Sequence, residues 1–466
     1  ICANIIIRST NVGILAFLLV AYILAAIAAA AATAADNVGI IPASEYLIPI
    51  FLGTIFVAAF FSSKTKIPYT MMLVAIGIII SALSLSPSFD IIGTDFAIDP
   101  RLIIDFLIPP LIFEAMMKID YNEFKKVRLP ALLLATLGVV VATLVGGFLL
   151  FYVAGLPFLV SFAFAALIAP TDAAMVIEIF KKVKVPKLLS TLMESESSFN
   201  DATGIIAFSS IVAVALASGS DIVGSGSAVA VGVIDFNLIG EAEHFAIVFF
   251  GGAGIGLAMA AATHRLHALM DEPFSETALT VATVFGSMVV ANTIGVSGLV
   301  AVALAGLYFG NVTIRRETVI SHRVRESAFS FWEMAAFFAN SAAFLYLGVT
   351  MDLTKILWNL PLIGLAFAAV LLARAASAYP ILATTNRFIK DKIPLSWKHV
   401  VVLGGMRGAV SVALVASLPN SEFKSMLETI TFGVVLSSLI IQYVALTLYV
   451  KRHFSQDDLK EKAVNE

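Results

Sequence analysis

Apolar residues run along this chain in long unbroken blocks, separated by short charged or Pro/Gly-containing stretches. The blocks lie at about 46–62, 67–86, 102–117, 129–153, 157–180 and 188–216. A polar, Gly/Ser-rich stretch follows at 217–243, and further blocks lie at 245–263, 277–292, 295–310, 331–350, 356–386, 398–418 and 425–450. Most approach the roughly 20 residues that a helix needs to cross a bilayer. None alternates strictly as a strand between lipid and a lumen would, so the pattern predicts thirteen core transmembrane helices. One more apolar stretch, 13–33, follows Arg8 and ends in small residues (AAAAATAADN). It suits either a cleavable signal peptide or an extra N-terminal helix; because it is part of the chain, the helix is the reading carried forward.

Composition turns that pattern into an exclusion. Of 466 residues, 60% are hydrophobic and 13% charged, against roughly 45–50% and about 25% in a soluble domain, and mean hydropathy is +0.98. An ordinary soluble enzyme is ruled out, and there is no room for a large soluble domain. The expected plan is an N-terminal segment at 1–45, a membrane domain at 46–450 and a short tail at 451–466. A net charge of −3 lacks the basic footprint of nucleic-acid binding. The single cysteine, Cys2, and the absence of a Cys/His cluster remove disulfide and zinc chemistry, so no cofactor is expected. Loops following odd-numbered core helices, with the tail, carry twenty-three Lys and Arg residues, and the opposite side carries three. The positive-inside rule then puts the odd-side loops and the C-terminus in the cytoplasm.

Two basic residues, Arg374 and Arg407, fall inside predicted spans. An ionisable side chain at bilayer depth costs at least about 2.5–3.5 kcal/mol, so such residues are paired or line a water-filled path. In the fifth core helix, Pro170 is followed at once by Thr171 and Asp172. Proline breaks the backbone ladder and frees carbonyls beside a hydroxyl and a carboxylate. A cation site and a plain helix cap by Asp172 both fit that arrangement. In the sixth core helix, Ser197 and Asp201 share one face and Glu196 and Asn200 the adjoining one. Arg374 and Arg407 are the candidate counter-charges. Gly404, Gly405 and Gly408 weaken the twelfth helix around Arg407. If helices one to six and eight to thirteen are inverted repeats, the two interrupted helices correspond, which is how a transporter site near the midplane announces itself in a sequence.

The motifs PTDAA at 170–174, ESSFND at 196–201, RAASAYP at 374–380 and GGMRGAVSVAL at 404–414, with IPPLIFEA at 108–115, resemble those of the NhaP-type sodium/proton antiporters of the monovalent-cation CPA1 group, related to eukaryotic NHE exchangers. The resemblance covers about 46–450. It implies an all-α polytopic membrane protein of the NhaA-like antiporter fold and a homodimer of thirteen-helix protomers. Each protomer would have a moving core, near 102–216 and 331–418, in which two unwound helices cross. Asp201 becomes the ion- and proton-binding carboxylate, with Thr171 and Ser197 as sodium ligands and Asp172 reaching the ion through water. Glu196 pairs with Arg374, and Asn200 fills the position that is Asp in electrogenic relatives. The segment 1–45 departs from the archaeal pattern. The tail is too short for the cytoplasmic regulatory domains of some members.

These residues imply electroneutral exchange of one Na⁺ or Li⁺ for one H⁺ across the plasma membrane, by a transporter and not an enzyme. Charging a buried carboxylate costs its hydration, so a proton and a cation compete for it. Asp172, Glu196 and Asp201 against Arg374 and Arg407 leave one negative charge for one monovalent ion to cancel. That sum omits Asp105, Glu114, Glu178 and Glu333, read as nearer the span ends. A potassium/proton exchanger of the same family is the main rival reading and a cation channel a weaker one. An intramembrane aspartyl protease lacks its GxGD motif here. The six histidines, His244, His264, His267, His322, His399 and His453, read as solvated groups at loop or helix ends, with pH sensing by His264, His322 or His399 the alternative. The four arginines within 311–326 are read as setting topology, with contact to anionic lipid a weaker reading.

Overall fold

A computed structural model describes residues 44–65, 67–84, 103–217, 238–314, 320–416, 418 and 422–454. The N-terminal segment up to residue 43, most of the Gly/Ser-rich stretch and the tail beyond 454 lie outside the described residues, as do Arg315 and Arg316. Every regular element among the described residues is helical. By length and composition alone, five of the helices are long and apolar enough to cross a membrane: Tyr121–Val153, Ala246–His267, Pro273–Ile294, Leu360–Thr385 and Phe423–His453.

The chain divides into two compact units. The first comprises residues 1–99 and 340–352; its described elements are α1 (Ser44–Lys64), α2 (Tyr69–Ser84) and the last turns of a helix that begins at His322. Here two glycines let backbones touch: a Cβ on Gly77 would lie 2.8 Å from the Cα of Gly348. The Tyr69 hydroxyl and Ser341 Oγ are 2.6 Å apart beside them.

The second unit comprises residues 100–339 and 353–466. In it, a π-helical turn at Ile103–Leu107 leads into α3 (Ile108–Lys118), and α4 spans Tyr121–Val153. Next come α5 (Phe158–Ile168), α6 (Ala174–Val183), α7 (Lys187–Ala217), α8 (Leu238–His267) and α9 (Pro273–Ile294). α10 spans Gly298–Thr313, and α11 (His322–Thr350) carries the chain on to α12 (Leu353–Trp358), α13 (Leu360–Thr385), α14 (Leu395–Leu403) and α15 (Ala409–Ala416). α16 spans Phe423–His453.

Helix ends follow local chemistry. Glu272 caps α9 by accepting from the amides of Phe274 and Ser275 at 3.2 and 2.6 Å, with Pro273 in the first turn. Pro needs no partner for the amide it lacks, and Gly295 closes the other end at φ 83°. Several bounds differ from the apolar blocks. α4 starts at Tyr121 rather than 129 because Asp120 caps it through the Asn122 amide at 2.9 Å. Its first turns bury Phe124 and Val127 while exposing Lys125 and Lys126, an amphipathic stretch that a hydropathy block cannot register. α8 likewise begins at Leu238, inside the stretch read as polar.

The histidines need one correction. His267 is not a solvated loop group: its side chain is 1% exposed, with Nδ1 2.8 Å from Glu276 Oε2. Packing of α8 and α9 against α10 closes over it, and that covering is invisible in the local sequence. His264 is half-buried against Thr313, and His399 reaches the Tyr379 hydroxyl at 2.6 Å.

Candidate functional site

The fifth and twelfth apolar blocks are each two helices with a non-helical break between them. Residues 169–173 separate α5 from α6, and residues 404–408 lie between α14 and α15. The two breaks touch. The Asp172 amide donates to the Met406 carbonyl at 2.7 Å, and Ser411 Oγ donates to the Leu167 carbonyl at 2.9 Å. Arg407 Nη1 donates to the Ala169 and Pro170 carbonyls at 2.9 and 3.0 Å. Those carbonyls end α5 and lack intrahelical partners, and a cation there also meets the negative end of the helix dipole. Arg407 thus differs from the expected counter-charge to a carboxylate: its recorded bonds go to backbone oxygens.

α7 crosses beside the first break. A Cβ on Gly204 would overlap the ring of Pro170, so glycine is what lets the helix approach so near. Its polar stripe then closes on the break. Asn200 Nδ2 donates to Thr171 Oγ1 at 2.9 Å, and Asn200 Oδ1 accepts from the Thr171 amide at 3.3 Å. Ser197 Oγ donates to the Thr171 carbonyl at 2.6 Å and accepts from the Ala173 amide at 3.2 Å. Asp172 is half-buried and its Oδ1 accepts from the Ala174 amide at 2.8 Å, which is the capping geometry. Its backbone meanwhile sits in the contact between the breaks.

Asp201 lies one helical turn beyond Ser197 on the same face of α7 and is half-buried. No hydrogen bond or ion pair is recorded for its carboxylate among the described residues, and the charge that acts on it is that of Asp172. The Glu196 carboxylate, 0% exposed, takes both guanidinium nitrogens of Arg374, with Nη2 to Oε2 at 2.8 Å. The same Arg374 reaches back to the Val401 carbonyl through Nη2 at 3.1 Å and Nε at 3.3 Å. One buried pair therefore joins α7, α13 and α14. Of the acids set aside as peripheral, Glu114 pairs with Lys118, which also binds Glu333 at 2.6 Å, and Glu178 pairs with Lys182 at 2.7 Å. Asp105 is exposed.

Three polar residues at the crossing escaped sequence reasoning. Ser411 is described above; Ser438 Oγ accepts from the Arg407 amide at 3.2 Å. Gln442 Nε2 donates to the Leu403 and Gly405 carbonyls, both at 3.3 Å. An amide inside the apolar block 425–450 was the available signal for Gln442, since a buried polar group needs partners. The glycines also mean more than weak helix propensity. A Cβ on Gly405 would lie 3.0 Å from Arg374 Nε, and one on Gly408 would fall on the Asp172 carboxylate. Because the Asp172–Met406 bond fixes the spacing, Gly408→Ala is expected to cost about 1–3 kcal/mol by overpacking. Thermal melting of the purified variant checks this; an unchanged melting temperature contradicts the contact.

The site gathers hydroxyl, carbonyl and carboxylate oxygens, which suit a hard cation. Among the described residues no group of three His, Cys, Asp or Glu side chains forms a metal cluster. The family model for the transmembrane sodium/hydrogen exchanger matches residues 47–452. The low-affinity Na⁺/H⁺ antiporter NhaS1 of Synechocystis sp. is 32% identical over 393 residues, covering 83% of this chain and 69% of that one. The Na⁺/H⁺ antiporter ApNhaP of Aphanothece halophytica is 30% identical over 410 residues, covering 87% and 73%. Among solved structures, the sodium proton antiporter MjNhaP1 from Methanocaldococcus jannaschii superposes with a TM-score of 0.70 at 21% identity, covering 88% of this chain and 99% of that one. At that identity the likeness concerns the fold.

Proposed function

The chain belongs to the sodium/hydrogen exchanger family, and on that premise we propose that it is a sodium/proton antiporter whose exchange is carried at the crossing by Asp201. It works as a secondary transporter in the membrane. The observation that carries the assignment is the double tie of Asn200 and Ser197 to the Thr171 break, one turn from a carboxylate with no recorded bond of its own. In this reading sodium binds Asp201 with oxygens of Thr171 and Ser197, Asp172 contacts it through water, and a proton takes the same carboxylate when sodium leaves.

Electroneutrality follows from the charge count. The Glu196–Arg374 pair is self-neutral, and in the formal sum the charges of Arg407 and Asp172 cancel without a bond between them, leaving one negative charge, assigned to Asp201, for one Na⁺ or one H⁺. An empty carrier would carry a bare charge through the membrane interior, a costly crossing that enforces exchange over leak. The finer architecture belongs to the same proposal: thirteen core helices in inverted repeats, a mobile core near 102–216 and 331–418, a homodimer, the plasma membrane, and a cytoplasmic C-terminus. The interrupted α5/α6 and α14/α15 support the repeat, since they fall at corresponding places in the two halves.

Reconstitution into liposomes with an internal pH dye tests exchange. Sodium, lithium, potassium and choline are added in turn, with and without clamped voltage. Proton movement driven by sodium and lithium, and insensitive to voltage, is expected. Movement driven by potassium alone would reassign the ion. Current without proton coupling would make the protein a channel.

A further inference from the structure

Away from the crossing, a pair of ionisable side chains outside the residues assigned to exchange is shut inside the second unit. His267 ends α8 and Glu276 lies in the first turns of α9, their side chains 1% and 0% exposed and 2.8 Å apart. The remaining polar atoms of both, His267 Nε2 and Glu276 Oε1, are buried without a hydrogen-bond partner. The ring of Phe309, from α10, covers the imidazole at a centroid distance of 5.5 Å.

Neighbouring charges give Glu276 little help. In the turn before α9, Asp271 and Glu272 both act on it as like charges. On α8, Arg265 is exposed and His264 is turned to Thr313 of α10 at 3.1 Å. On α11, Arg325 donates to the Ile314 carbonyl at 2.5 Å, while Arg323 is exposed and His322 lies 3.6 Å from Glu326. On α3, Lys118 is held by Glu114 and Glu333. Among the described residues, the only basic side chain recorded as bonded to Glu276 is His267.

Burial then selects one protonation level. With no proton to share, the pair is a lone buried carboxylate; with two, it is a lone buried imidazolium. Either leaves an uncompensated charge out of water, which is costly. One shared proton makes the pair neutral overall. We propose that His267 and Glu276 form a proton-binding site separate from the exchange site, which holds one proton while the turn between α8 and α9 is closed and releases it when that turn opens to water.

The sign of the pH dependence follows from counting protons. Once opened, the two groups revert to ordinary values of about 4.3 for Glu and about 6.5 for His. Between about pH 5 and 6 open and closed turns each hold one proton, and closure is insensitive to pH. Above about pH 7 the open turn holds none, so opening is favoured as pH rises, by up to about tenfold per unit, until the closed pair itself gives up its proton.

Hydrogen exchange read by mass spectrometry on the full-length protein in detergent tests this, with choline as the only added cation so that exchange at Asp201 plays no part. Protection factors, corrected for intrinsic rates, are compared between peptides covering residues 263–278 and a control covering residues 283–294. The turn is expected to lose protection by about several-fold between pH 6 and 9 while the control holds. Glu276→Gln, which keeps the shape and can donate to a neutral imidazole, is expected to remove that loss. A parent turn whose protection is constant, or falls no more than the control, overturns the proposal, as does an undiminished loss in Glu276→Gln. If the variant does not fold, the parent's turn-to-control comparison decides.

Discussion

Asp201→Asn abolishes sodium-driven proton movement in liposomes, down to the level of empty vesicles, while the variant still folds and melts near the parent temperature. The two halves of that expectation rest on one observation. The Asp201 carboxylate has no recorded hydrogen bond or ion pair among the described residues, so an amide of the same shape strands no partner, and the stability change stays within about 1 kcal/mol. Function depends on something asparagine lacks, a charge that a proton or a sodium ion can neutralise. The same logic sets the parent's pH response. Because proton and cation compete for one group, the apparent KM for sodium rises as pH falls, approaching about tenfold per pH unit where the carboxylate is mostly protonated. Dye-monitored flux across a sodium titration at several pH values checks both; retained exchange in Asp201→Asn, or a KM indifferent to pH, removes Asp201 from the centre of the mechanism.

Arg374→Ala is expected to fail at folding and not at selectivity. Glu196 is fully buried and both its oxygens are taken by Arg374, so truncating the arginine leaves a bare carboxylate in the interior. Breaking a buried pair from one side costs about 3–5 kcal/mol, a large share of an ordinary stability margin. The Val401 carbonyl loses its partner as well. Low yield, or a melting temperature lowered by many degrees, is the expected result. Glu196→Gln combined with Arg374→Met removes both charges and is expected to melt above Arg374→Ala alone, because no ion is left stranded. Thermal melting in detergent measures all three proteins. An Arg374→Ala variant that melts normally but prefers a different cation would move Arg374 from scaffold to site.

Much of the crossing is legible in the amino-acid sequence. Pro170 announces a break because it removes an amide and clashes with the preceding turn, and the break is there. The spacing of Ser197, Asn200 and Asp201 puts them on adjoining stripes of one helix, and two of the three do reach Thr171. Arg407 is harder. Its charge pointed to a carboxylate partner, yet its recorded partners are the Ala169 and Pro170 carbonyls. Backbone oxygens carry no letter in the sequence, so a cation serving a helix end looks the same as one serving an acid. Gly408 is similar: a weak helix former by type, it turns out to face the Asp172 carboxylate.

What the chain determined by itself are the quantities local to it: helical rather than strand structure, where apolar blocks start and stop to within several residues, which side collects positive charge, and where a proline must interrupt a helix. These depend on hydrophobic transfer and on backbone sterics, both read from neighbours in sequence. Only the tertiary structure decided which oxygens face each other across the two breaks, that the Arg374 paired with Glu196 also holds the Val401 carbonyl, and that His267 is enclosed instead of solvated. Those outcomes turn on close approach between distant helices. There a single missing Cβ or one covering ring decides whether a polar atom finds a partner, water or neither.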